Sequence, residues 1–159
     1  MMNPPPENLV ALARELAAAH KLDPALVCAV IEQESAWNPW AMRYEPAFFD
    51  KYVAPLYTNN KISATEAYAR GFSWGLMQVM GQVARENGFA EAHLAELCTP
   101  EKGIAVGCRV LRKKLAAAGG DVERGLLAWN GGGNTGYPAA VLARKNRYVG
   151  ELQSGSVEE

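Results

Sequence analysis

Apolar positions along the chain recur mostly at helical spacing. Leu9, Leu12, Leu16 and Ala19 share one stripe after a proline-rich start, which predicts a first helix. Asp23 offers an N-cap with Pro24 at the first helical position, opening a second helix. Asn38-Pro39 should close it, because proline disfavours the α conformation of the residue before it. From Trp40 to Gly71 the period loosens and aromatics gather at Tyr44, Phe48, Phe49, Tyr52 and Tyr57. Ser63-Ala-Thr-Glu66 reads as a capping box for a short helix to Arg70. Further short helices are expected from near Trp74, over 81–87 and over 90–97. Thr99-Pro100 begins the longest helix, with Ile104, Cys108, Leu111 and Leu115 on one stripe and Gly119-Gly120 as its stop. Gly103 and Gly107, on an adjacent face, would permit close helix contact. Asp121 caps a helix to Ala128, residues 131–133 form a glycine loop, and Pro138 begins a last helix reaching about Val149. Residues 151–159 are a polar tail, expected to fray. There is no repeat and no linker, so one mostly α domain over 1–159 is predicted.

The second helix carries two acids. On a 3.6-residue helix Glu34 lies within about 60° of Val27, Val30 and Ile31, on the apolar face. Glu32 points to roughly the opposite side and is expected to face water. Glu34 also falls in the last turn, where unpaired carbonyls make the local potential negative. Desolvation and the carbonyl end of the helix both favour its neutral form, which is the state a general acid needs. An acid there could equally pair with a buried arginine or cap a neighbouring helix.

Composition narrows the classes. The 159 residues suffice for one core, and 49% hydrophobic with 21% charged residues is a soluble globular balance. A net charge of −1 points to neither nucleic acid nor an anionic membrane surface. The basic clusters around Arg109–Lys114 and Arg144–Arg147 fit solvated helix faces. No 18-residue apolar stretch exists, so no membrane insertion is expected. MMNPPPENLV lacks the features of a secretory signal. Cys28, Cys98 and Cys108 are expected to be free thiols, since a Cys98–Cys108 bridge would require the chain to fold back at Thr99-Pro100. His20 and His93 are isolated, suited to surface or capping roles, and no metal site is indicated.

Three later stretches follow ESAWNP in order: GFSWGLMQVM (71–80), KGIAVGCRVL (102–111) and LLAWNGGG (126–133). Together they resemble the soluble lytic transglycosylases, relatives of goose-type lysozyme that cleave the peptidoglycan glycan strand. The family's Glu-Ser pair, Gly-Leu-Met-Gln segment and Ala-Tyr-Asn-Ala-Gly segment correspond to Glu34-Ser35, Gly75-Leu76-Met77-Gln78 and Ala128-Trp129-Asn130-Gly131-Gly132. A Tyr-Val pair near the family's C-terminus corresponds to Tyr148-Val149. The resemblance covers about residues 9 to 149 and implies a lysozyme-like α-helical fold. Forty-one positions separate Glu34 from Gly75, so residues about 41–70 look like an inserted segment after the catalytic helix. Their aromatics are too dense for a solvated loop, and the segment is expected to form one wall of a glycan groove. Trp129 stands where the family has a tyrosine whose hydroxyl lies near the acid.

The resemblance implies Glu34 as general acid and then base, with no cofactor. Glu34 would protonate the oxygen bridging N-acetylmuramic acid and N-acetylglucosamine, then deprotonate the muramyl 6-hydroxyl, leaving a 1,6-anhydro end. Ser73, Met77, Gln78, Trp129, Asn130 and Tyr148 are the expected substrate-binding set, with Trp37 and Trp74 as further aromatics. A hydrolytic lysozyme is the alternative. It would use a second carboxylate, and Glu45 or Asp50 is available. A glycan-binding or tail-structure module that has lost its acid is a third reading, but Glu34 is present. Peptidoglycan strands are the expected partner of a monomer made in the cytoplasm and acting at the cell wall. It would be phage-encoded or delivered by a dedicated export route.

Overall fold

The computed structural model describes residues 3–154, with side chains described to residue 150. Helix α1 (Glu7–Ala19) leads through a turn at His20, whose ring bonds the carbonyl of Leu16 (2.8 Å), into α2 (Pro24–Ser35). Asp23 caps α2 as expected, accepting from the Ala25 amide (2.9 Å). The helix ends earlier than Asn38-Pro39 implies. Ala36 and Trp37 both take left-handed backbone (φ 49° and 64°), turning the chain sharply and sending the Trp37 indole back into the core.

The region 41–70 is built rather than looped. Strand β1 (Met42–Tyr44) runs into α3 (Pro46–Phe48), a π-helical turn (Phe49–Val53), α4 (Ala54–Thr58) and α5 (Ala64–Arg70), the last opened by Ser63 accepting from the Glu66 amide. Tyr44, Phe49, Phe72 and Tyr68 pack ring against ring, with Tyr68 at the exposed end, and Val53 is fully buried.

Strand β2 (Phe72–Trp74) replaces the helix expected near Trp74. It pairs antiparallel with β1 (Arg43 opposite Ser73) and with β3 (Val79–Met80), so Gly75-Leu76-Met77-Gln78 is the loop of a β2–β3 hairpin. Helix α6 (Gly81–Glu86) follows. Only Leu94–Cys98 of the expected 90–97 helix is helical, as a 3₁₀ turn opened by a His93–Glu96 capping box.

Helices α7 (Pro100–Ala117), α8 (Val122–Trp129) and α9 (Tyr137–Ser154) complete the bundle. The last runs past Val149, so 151–154 of the expected tail are helical and 155–159 lie outside the described residues.

The core sits where α9 packs on α2, with α1 and α7 alongside. Every residue of α2 from Ala25 to Glu32 is buried. Two close approaches lock the hairpin to α7. A side chain at Gly75 or at Gly103 would collide with the Leu97 carbonyl oxygen, and one at Gly107 with the Met77 sulfur. Cys28, Cys98 and Cys108 are buried and form no disulfide among the described residues, and burial pushes the Cys108 thiol up to about 12. Among the described residues no helix is long and apolar enough to cross a membrane, and no three His, Cys, Asp or Glu side chains cluster as a metal site would need.

Candidate active site

Glu34 lies in the last turn of α2, half-buried, at one side of a groove of ≈ 890 Å³. Two neutral donors converge on its Oε1: the Tyr137 hydroxyl at 2.5 Å and the Trp129 indole N–H at 3.2 Å. Burial holds the Glu34 carboxyl above the usual carboxylate range, and the two donors pull the other way without cancelling it. Tyr137 is itself raised, first by burial and then by the facing Glu34.

Tyr137 is absent from the residues expected from sequence. The hydroxyl that the resemblance would have placed at position 129 arrives from the first residue of α9, across the glycine loop. The motif position is held by an indole that also donates to the acid. The only signal was a lone tyrosine beside Pro138, which nothing in the helical periodicity distinguishes.

The neighbouring Ser35 joins the acid to the hairpin. Its hydroxyl donates to the Leu76 carbonyl (2.8 Å), with the carbonyl of Ile31 at 3.1 Å as second acceptor. Gln78, at φ 51°, sets the loop geometry. Its side-chain amide donates to the carbonyls of Gly75 and Ala41 (2.9 Å each) and its oxygen accepts from Ser73 (2.8 Å). Both Gln78 and Ser73 line the groove, but every N–H of the Gln78 amide is used within the protein. Asn130, exposed at the end of α8, also lines the groove beside Trp129.

Other expected contacts lie elsewhere. Met77 is fully buried beneath Gly107 and does not reach the groove. Tyr148 is fully buried in the α2–α9 seam, where its hydroxyl accepts from Trp37 Nε1 (2.9 Å), and burial pushes it up to about 12. Trp37 is therefore a core residue. Trp74 is one too, its indole donating to the Ala69 carbonyl (2.8 Å). All four were assigned from sequence pattern, yet packing against a facing helix or strand claims them first.

Glu32 is not on a wet face. It is buried in the α2–α9 seam and paired with Arg147, because α9 covers the side of α2 that a single-stripe reading leaves to solvent. The basic clusters are likewise partly engaged: Lys145 pairs with Asp23, and Arg109 donates to the Asn87 carbonyl (2.5 Å).

The 41–70 segment forms the wall facing Trp129. Arg43, Glu45, Phe48, Lys51 and Tyr52 line the groove from that side, with Phe48 and Tyr52 as a tilted ring pair 4.9 Å apart. Glu45 pairs with Arg43 Nε at 3.0 Å. Asp50 does not line the groove. Of the groove's carboxylates, Glu45 is ion-paired and Glu86 accepts from the Gln82 amide (2.8 Å), while Glu34 is the one held by two neutral donors on a single oxygen.

No solved structure matches the chain. The family model described as Transglycosylase SLT domain matches residues 11–139, a span containing Glu34, the hairpin, Trp129 and Tyr137. The chain thus belongs to the soluble lytic transglycosylase family of the lysozyme-like superfamily, whose members act on peptidoglycan.

Proposed function

We propose that this domain is an active lytic transglycosylase that cleaves the β-1,4 bond between N-acetylmuramic acid and N-acetylglucosamine, with Glu34 as sole acid and base. The observation carrying this reading is the setting of Glu34. It is a carboxyl of raised pKa whose two donors share one oxygen, leaving Oε2 for the substrate. Glu34 gives its proton to the bridging oxygen as the C1–O bond breaks. The resulting carboxylate takes the proton of the muramyl 6-hydroxyl while that oxygen bonds to C1. The acid is regenerated and no water enters. Phe48 and Tyr52 on one wall and Trp129 on the other suit apolar sugar faces, while Asn130 and the free lone pair of Gln78 suit hydroxyl and acetamido groups.

A hydrolytic outcome is the second reading, because Glu45 lines the same groove. Its ion pair with Arg43 argues against the role of an activated base. Mass analysis of products from purified sacculi separates the two. Transglycosylation releases muropeptides one water lighter than lysozyme products, and Glu45→Gln should retain them. Reducing-end N-acetylmuramic acid as main product, lost in Glu45→Gln, would make the enzyme a lysozyme.

A further inference from the structure

Beyond Asn130 the groove continues into a shallower depression of ≈ 460 Å³ between the end of α7 and the start of α8. Lys114, Ala128 and Gly131 line both spaces, and Arg124, Leu127 and Gly132 line the depression alone. Its floor is open: Gly131 and Gly132 hold φ of 85° and 82°, and a Cβ on either would meet nothing within 4 Å. Lys114 and Arg124 are exposed, and neither side chain has a hydrogen-bond or ion-pair partner among the described residues. Nearby cations on α7 do have acceptors: Lys113 reaches Asn87 (2.7 Å) and Lys102 reaches Glu96 (2.7 Å).

Helix stability accounts for only one of the two. Lys114, in the last turn of α7, complements the carbonyl end of that helix. Arg124 stands in the first turn of α8, where the unpaired amides already make the potential positive, so the cation there opposes the dipole. A planar guanidinium and an ammonium lining one depression, itself joined to the groove, suit an oxyanion. The sugar rings of the strand are neutral apart from their substituents, and the carboxylates of peptidoglycan are carried by the peptides on muramic acid.

Resting on the transglycosylase reading above, we infer that Lys114 and Arg124 bind a carboxylate of the peptide substituent, making the enzyme prefer peptide-bearing over peptide-free strands. The test is a binding titration of the full chain carrying Glu34→Gln, which needs no cleavage. Two soluble glycans of equal length serve as probes, one bearing peptides and one stripped of them by an amidase, with the lactyl carboxylates that the cut exposes capped as primary amides. The peptide-bearing glycan should bind about fivefold more tightly, as expected of exposed ion pairs, and the difference should shrink with added salt. Adding Arg124→Gln should erase the difference and leave the stripped glycan's affinity unchanged, while Arg124→Lys should keep part of it. Equal binding of both glycans by the parent, or an Arg124→Gln effect on both alike, overturns the assignment. So does a preference that follows a peptide-free strand bearing phosphate instead. Binding of neither glycan would overturn the transglycosylase reading itself.

Discussion

The α2–α9 seam and the groove mouth each receive a carboxylate from the same turn of α2, and they treat it differently. In the seam, Glu32 meets the guanidinium of Arg147 and is shut from water by α9. At the groove, Glu34 meets a phenol and an indole, both on one oxygen. A positive partner makes a carboxylate an anchor: its charge is matched, and its geometry ties two helices together. Neutral donors in a partly dry site hold the carboxyl in place while leaving its proton free to be given away and taken back. Two residues of spacing separate a structural acid from the one we propose as chemical.

The largest expected effect is on the chemical side. Glu34→Gln keeps the shape and both neighbours but transfers no proton, so release of anhydro products should fall by about 10³-fold or more while far-ultraviolet dichroism stays unchanged. Its stability should carry the opposite sign. Because the folded state raises the Glu34 pKa, the folded chain retains that proton over a range where the unfolded chain has lost it. The wild-type contribution therefore falls as pH rises above the ordinary glutamate range. The melting temperature of Glu34→Gln should accordingly gain on wild type between acid and neutral pH.

Glu32→Gln should do the reverse. Removing the charge leaves Arg147 without its partner, and because that arginine is half-exposed the loss should be about 1–3 kcal/mol rather than that of a fully buried pair. A melting temperature lower by about 3–10 °C would follow, with kcat/KM at 25 °C within about twofold of wild type. A catalytic defect without a melting defect would erase the distinction between the two sites.

Tyr137→Phe sharpens the comparison with a smaller effect. It removes the shorter of the two donors on Glu34, and that donor favours the anion, so the carboxyl should move further up. The alkaline limb of the pH–rate profile should shift to higher pH, and kcat should fall about three- to tenfold as the carboxyl loses its orientation. An alkaline limb unmoved by the substitution would mean the phenol only packs.

Much of this arrangement is legible in the chain. The facing of Glu34 follows from helical spacing, and the order of motifs brings Gln78 and Trp129 to the groove. The Asp23 cap forms as written, while of the Ser63–Glu66 box only the Ser63 half forms, the Glu66 carboxylate turning to Arg70 and Arg85. What fails does so for physical reasons. Glu32 looks solvated only if α2 has one covered face, yet Ala25 to Ile31 is an unbroken apolar run, the mark of a helix buried all round. Trp74 sits in a strand of three residues, too short for a period of two to emerge from a helical one. Tyr137, given no role by the motifs, reaches Glu34, and Tyr148, expected at the substrate, is buried, because both positions depend on how α9 lies across α2, a long-range fact that no local pattern carries.

The Leu97 carbonyl, hemmed between Gly75 and Gly103, has a mechanical consequence. The hairpin and α7 both press on the Leu97 backbone, so groove floor and helix form one stiff plate that cannot flex without forcing main-chain atoms together. The opposite wall is hung differently, on a three-residue ladder and a π-helical turn with exposed Tyr52 near its crest. Tightening over a bound strand is then a one-sided clamp. On the proposed mechanism the plate, joined to the acid through Ser35, would keep Glu34 aimed while the aromatic wall supplies the give, setting substrate fit and proton aim in separate parts of the molecule.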